Sequence, residues 1–297
     1  MLIDRANLET TFKGFKSVFS SAFDATPNEI GKIAMHVVST TLEEEYGWLG
    51  QFPTLREWIG DRVVHELASD GFKIKNRKFE STVKVKRDDL SDDRFGIYKP
   101  LFDEMGRVTK QHPDRLAFEL LANGFATACF DGQPFFDADH PQESEKTGVT
   151  VTVSNVLAGT GDPWFLLDLS RGVKPLIFQG RESYQFQKVD NDNDHRVFMR
   201  DEYLYGIRAR VNVGFGLWQL AFGSKAELTA ANLRAAYTAM LDFRGDRGQL
   251  LGIRPTHLVV GNSNHFAARD LLTLEQIDGT SNGNRGLVDL ISSPFLA

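Results

Sequence analysis

The side chains of this chain that could do chemistry cluster in two short stretches, Asp131-Gly-Gln-Pro-Phe-Phe-Asp-Ala-Asp-His140 and Asp190-Asn-Asp-Asn-Asp-His195. In the first, Asp131, Asp137, Asp139 and His140 offer the carboxylate and imidazole ligands that a divalent cation takes. A metal-dependent hydrolase would be centred there. A catalytic site of that kind also needs a further ligand group and a general base within reach. The seven histidines form no HExxH or HxH pair, and Asp-Gly and Asp-His-Pro are ordinary turn vocabulary. A rigid loop is expected, with no metal. The second stretch mimics the opening of a calcium loop, but its sixth position is His195 instead of glycine and its twelfth is Asp201 instead of glutamate. Its flanks read as strands, so a solvated hairpin tip is expected. The sequence has no GxSxG elbow, no GxxxxGK[ST] loop and no GxGxxG after a strand. Cys129, at the end of an apolar helix, reads as a small core residue rather than a thiolate. No catalytic residue and no cofactor is expected.

Composition narrows the classes further. A hydrophobic fraction of 41% and a charged fraction of 25% are those of a globular protein. No apolar run approaches the roughly 20 residues of a membrane-spanning helix. A single cysteine excludes an intrachain disulfide and fits a reducing cytoplasm. The net charge of −6 argues against wrapping nucleic acid, which requires clustered Lys and Arg. A protein that encloses a polyanion without adhering to it would carry such a charge.

The elements that must position these residues can be read from periodicity. Phe12, Phe15, Phe19 and Phe23 form one aromatic stripe on an N-terminal helix. That helix either docks on its own core or packs on a neighbouring subunit. A short helix with an apolar side is expected over 53–70. Phe72 and Ile74 alternate with Lys73 and Lys75, and Val83 and Val85 with Lys84 and Lys86. This reads as a hairpin turning at Asn76-Arg77-Lys78, apolar on one face and basic on the other. A lone hairpin is not stable in water, so it must lie on a sheet of its own domain or on another molecule. Helical signals follow at 94–110 and 113–128, broken at His112-Pro113. Strands are expected at 149–153, 175–189 and 196–222. A helix after Thr229, a short strand at 258–260 and a helix at 266–274 complete the chain.

Within the last of the long strands, Tyr203 to Gly223 is rich in β-branched and aromatic residues and interrupted by Gly206, Gly214 and Gly216. Glycines in a strand mark a bulge, a bend or a close backbone approach. Arg208 and Arg210 lie on its surface positions with no reactive group nearby. A long bent strand of this kind suits an assembly protein.

Several stretches, in order, resemble the major head (capsid) proteins of Mu-like tailed bacteriophages. They are Tyr46-Gly-Trp-Leu-Gly50 with Arg56-Glu-Trp-Ile-Gly60, Asp131 to Pro141, Trp164-Phe-Leu-Leu-Asp168, and Lys174-Pro-Leu-Ile-Phe178. The 203–223 strand, Gly252 to Val260 and the closing Ser293-Pro-Phe-Leu-Ala297 complete the set.

The resemblance implies an α+β, HK97-like phage capsid fold. Its parts would be an N-terminal arm (1–48), an E-loop region (49–96) with its hairpin at 72–87, a spine helix with a peripheral-domain-like sheet (97–223), and an axial-domain-like region (224–297). It implies a structural subunit that self-assembles as hexamers and pentamers into an icosahedral head shell enclosing phage DNA, with scaffold, portal and decoration proteins as further partners. Contact with packaged DNA would be weak and non-specific, with no membrane involved. The subunit would belong to the virion after assembly in the bacterial host cytoplasm. Candidate subunit-interface residues are Phe12, Phe15, Phe19, Phe23, Phe72, Ile74, Val83, Lys84, Val85, Lys86, Arg208 and Arg210. The rival readings are a hydrolase on the Asp131–His140 loop and a nanocompartment shell enclosing protein cargo.

Overall fold

The computed structural model describes residues 2–50, 71–92, 94–143, 150–245, 248–277 and 279–296. Its helices are α1 (Arg5–Ala25), α2 (Ile30–Ile33), α3 (Arg87–Ser91), α4 (Lys99–Ala122), α5 (His195–Arg200), α6 (Ala230–Leu241) and α7 (His265–Thr273). The strands begin with β1 (Ala34–Val38), β2 (Glu43–Tyr46), β3 (Phe72–Lys75), β4 (Arg77–Lys86), β5 (His140–Glu143), β6 (Thr150–Val153) and β7 (Val156–Leu157). They continue with β8 (Trp164–Leu167), β9 (Leu176–Val189), β10 (Glu202–Phe215), β11 (Ala221–Ser224) and β12 (His257–Val260), then β13 (Gln276–Ile277), β14 (Thr280–Ser281) and β15 (Asp289–Ser292). The helix expected over 53–70 lies outside the described residues.

Two sheets organise the chain. The first runs β1-β9-β10-β4, with β1 parallel to β9 and β10 antiparallel to both of its neighbours. Along β10, Tyr203, Tyr205, Ile207, Ala209, Val211 and Val213 all point inward, the period-two pattern of a strand with one covered face. The second sheet runs β15-β12-β8-β11-β7, with β8 (Trp-Phe-Leu-Leu) wholly buried at its centre. It combines strands from both sides of residue 223, so the expected division at 223/224 falls inside β11.

Helices α1 and α4 cover the first sheet. Asp4 caps α1 by accepting the Asn7 N–H at 2.8 Å, and Leu8, Thr11, Phe15 and Phe19 form its buried stripe. The helix crosses α4 at Gly106, where a Cβ would lie 2.4 Å from the Phe19 carbonyl oxygen. Only glycine admits so close a backbone approach.

The structure departs from the sequence expectations at four places. First, α4 is continuous through Pro113. The buried residues Met105, Thr109, Pro113, Ala117 and Phe118, Leu121 run along one face across the joint, and packing of that face outweighs one lost backbone hydrogen bond. Second, residues 72–87 are not a hairpin. Strand β3 pairs with β2, whereas β4 pairs with β10 along ten residues. Between them, Asn76 is buried. Its Nδ2 donates to Ser39 Oγ at 2.7 Å and Thr41 O at 3.0 Å, its Oδ1 accepts from Gln179 at 2.9 Å, and its N–H donates to Leu42 O. A polar residue read as a turn is a satisfied joint between two sheets. Third, 195–200 is helix α5, capped by Asp194, so the strand begins only at Glu202. Fourth, the long strand through 203–223 splits. Strand β10 ends at Phe215, and after a 3₁₀ turn at Trp218–Leu220 the chain enters the second sheet as β11. Gly206, Gly214 and Gly216 all mark close approaches, the last to the Lys174 carbonyl at this crossover. The bulge itself lies elsewhere, where the β9–β10 register shifts around Arg208–Val211.

Candidate assembly surfaces and the buried aspartate–histidine cluster

The loop that offered metal ligands is a structural joint. Of its four candidates, the fold brings together Asp131 and His140, with Cys129 alongside. Asp137 and Asp139 do not join them; the neighbouring Asp137 carboxyl raises the exposed Asp139 carboxyl above its usual range. His140 has no exposed surface. Its Nδ1 lies 2.7 Å from Asp131 Oδ2 and its Nε2 3.2 Å from Asn155 Oδ1. The orientation of Asn155 is set by its other bonds, since its Oδ1 accepts the Asp137 N–H at 2.9 Å and its Nδ2 donates to Phe135 O at 2.8 Å. Both ring nitrogens of His140 therefore face protein acceptors, and neither is free to ligate a metal or take a substrate proton.

The surrounding contacts tie this loop to the rest of the fold. The His140 ring stacks on Trp218 with centroids 4.0 Å apart and planes 9° apart. Trp218 lies in the crossover between the two sheets, so the stack fastens the 129–140 loop where they meet. Burial pushes the Asp131 carboxyl up, but hydrogen bonds from His140 and Cys129 outweigh it and leave the group below its ordinary value. Burial and the Asp131 charge push the Cys129 thiol well up, consistent with an inert core residue. Sequence reasoning named Asp131 and His140. It could not find Asn155 and Trp218, which only the fold delivers.

The candidate interface residues divide by placement. Phe15 has no exposed surface and Phe19 is nearly buried, both within a second core formed by α1, α4 and the far ends of β4 and β10. The Phe15 ring stacks on Phe102 at 4.1 Å and Phe95 at 4.4 Å. Phe12 and Phe23 are half-buried, with Lys188 4.6 Å above the first ring and Lys110 4.7 Å above the second. Ile74 and Val85 are buried by their own chain, the first in the main core and the second in the smaller one. Phe72 and Val83 are half-buried, and Lys86 is exposed. Lys84 pairs with Glu202 at 2.9 Å. Arg208 and Arg210 both grip Glu182 on β9, the latter at 3.2 Å.

One surface was missed entirely. Phe198 and Met199, on α5, are 79% and 65% exposed. Reading 196–222 as one strand hid them, because a strand would have assigned them alternate faces.

The family model described as Mu-like prophage major head subunit gpT matches residues 8–296. The major capsid protein of Escherichia phage Mu is 41% identical, with both chains covered in full. The Mu-like prophage FluMu major head subunit of Haemophilus influenzae is 43% identical over 90% of this chain and 89% of its own. Among solved structures, the procapsid of bacteriophage JBD30 superposes with a TM-score of 0.87 at 44% identity, covering 99% of this chain and all of its own. The JBD30 capsid superposes at 0.79 and 31% identity, with full coverage of both chains.

Proposed function

Because the chain belongs to the Mu-like major head subunit family and is a structural subunit of a phage head, not an enzyme, we propose that its copies close into an icosahedral shell around phage DNA. The full-length likeness to a procapsid subunit carries this reading. The hydrolase alternative has no support from the relatives, and both nitrogens of the histidine it would use are committed to the fold. A net charge of −6 suits a shell wall that contacts packaged DNA only weakly.

Within this reading, α1 and its flanks (1–48) serve as the arm, α4 as the spine, and the β1-β9-β10-β4 sheet as the peripheral layer. The five-stranded sheet with α6 and α7 serves as the axial region. The β2–β3 ladder, not residues 72–87, is the base of the E-loop. Phe12, Phe23, Phe72, Val83 and Lys86 keep surface for a neighbour, whereas Phe15, Phe19, Ile74 and Val85 act within the subunit, and Lys84, Arg208 and Arg210 brace the sheet. Scaffold, portal and decoration proteins complete the particle, which assembles in the host cytoplasm.

Two measurements test the proposal. Negative-stain microscopy of the expressed chain is expected to show closed particles, and a strictly monomeric protein at high concentration would overturn it. Replacing residues 51–70 with a short Gly-Ser linker between Gly50 and Gly71 should leave a soluble, folded subunit that forms no closed shells. Deletion of 71–88, by contrast, removes β4 from its ten-residue pairing with β10 and is expected to unfold the subunit.

A further inference from the structure

A firmly pinned corner of the subunit holds two large apolar side chains in solvent. Phe198 and Met199 project from α5 at 79% and 65% exposure, while Val197 between the same turns is 1% exposed and anchors the helix. Asp194 caps its start, and Asp201 ends it in the left-handed region at φ 51°. Helix α3 braces the corner. The Arg87 N–H donates to Asp201 O at 3.1 Å, and its guanidinium meets Asp192 at 3.2 Å. The Tyr203 hydroxyl donates to the same Asp192 at 2.7 Å. Single exposed apolar residues are common, but an adjacent Phe-Met pair on a braced mount forms a patch of the kind that marks an interaction site.

Charge identifies the partner. Helix α5 carries Arg196 and Arg200, and the adjoining α3 segment carries Asp88 and Asp92; all four are exposed. None of the four has an ion-pair partner within 4 Å among the described residues. The basic helix α5, which itself carries the apolar pair, and the acidic α3 segment, joined to it through the Arg87 bonds to Asp201 and Asp192, complement a second copy of themselves. We propose that this corner is a contact between copies: Phe198 and Met199 of one subunit seat on the corner of the next, with Arg196 and Arg200 facing its Asp88 and Asp92. Such a self-complementary contact is isologous and pairs two copies about a twofold axis. The proposal rests on the head-subunit reading and names one of its contacts.

The experiment compares four full-length proteins by negative-stain microscopy and sedimentation, with circular dichroism confirming the fold of each. They are the wild-type chain, Phe198→Ser/Met199→Ser, Arg196→Glu/Arg200→Glu, and the last combined with Asp88→Lys/Asp92→Lys. The serine and glutamate variants are expected to fold normally and to lose at least roughly tenfold in particle yield, as truncation of a hot spot does. The combined charge reversal should recover most of that yield. Undiminished particles from the serine variant would sink the contact while leaving the head-subunit reading intact. Loss that the second reversal does not restore would assign the corner to a different partner and overturn the proposal. A wild-type chain that stays monomeric throughout would remove both.

Discussion

Truncating Phe15 to alanine tests whether the N-terminal helix is held by its own chain. The Phe15 side chain is fully buried among four rings, stacking on Phe95 and Phe102 and meeting Tyr205 and Tyr98 edge-on at 5.2 and 6.5 Å. Removing a buried Phe costs about 3–5 kcal/mol, from lost transfer energy plus the cavity left behind. With a urea slope near 3 kcal/mol/M, the helix-detected midpoint of the soluble subunit should fall by about 1.3 M. The tryptophans give an internal contrast: Trp164 and Trp218 lie in the main core and Trp48 packs against it, whereas α1 lies in the second core. Trp58 is outside the described residues. Far-ultraviolet circular dichroism should therefore shift more than tryptophan fluorescence, because sub-regions open with their own free energies. Phe12→Ala, at a half-buried position, should shift it by about half as much. An unchanged dichroism midpoint for Phe15→Ala would refute the reasoning and return the whole stripe to a neighbouring subunit.

Three further outcomes are expected. His140→Ala removes the partner of a buried carboxylate and a ring stack and should destabilise the subunit by about 3 kcal/mol, while a chelator leaves the melting temperature of the wild-type protein unchanged; a chelator-induced drop would restore the metal reading. His112, 2.7 Å from the Tyr184 hydroxyl, is held below its ordinary value by burial and then by Arg115 and Arg77. The unfolded chain therefore takes up this proton first, so stability is full above about pH 6.5 and declines as pH falls through the folded value. Urea midpoints across that range should show a decline that His112→Phe makes shallower; parallel curves for the two proteins would argue against it. Gly106→Val forces α1 away from α4 and should cost about 1–3 kcal/mol or more, read as an earlier loss of helical signal, whereas a wild-type melt would contradict the close crossing.

What the sequence determined by itself is what local physics controls. The 3.6-residue spacing of the phenylalanines gave one face of α1, on which Phe15 and Phe19 are buried and Phe12 and Phe23 half-buried. Thr229 gave the start of α6 through its bond to the Asn232 N–H, and the run of β-branched and aromatic residues gave the strand β10. The order of short stretches along the chain also carried the family, since it samples the whole length at once. Tertiary structure decided the rest. Period two says which way a side chain points but not which strand lies alongside, so β3 and β4, adjacent in sequence, joined different partners. Pro113 remained inside a helix because a continuous buried face outweighed one missing donor. The acidic loop became a joint rather than a reactive site because Asn155 and Trp218, distant along the chain, took up Nε2 and the ring face of His140, leaving Nδ1 to Asp131. Pairing and enclosure are non-local, and only the folded chain assigns them.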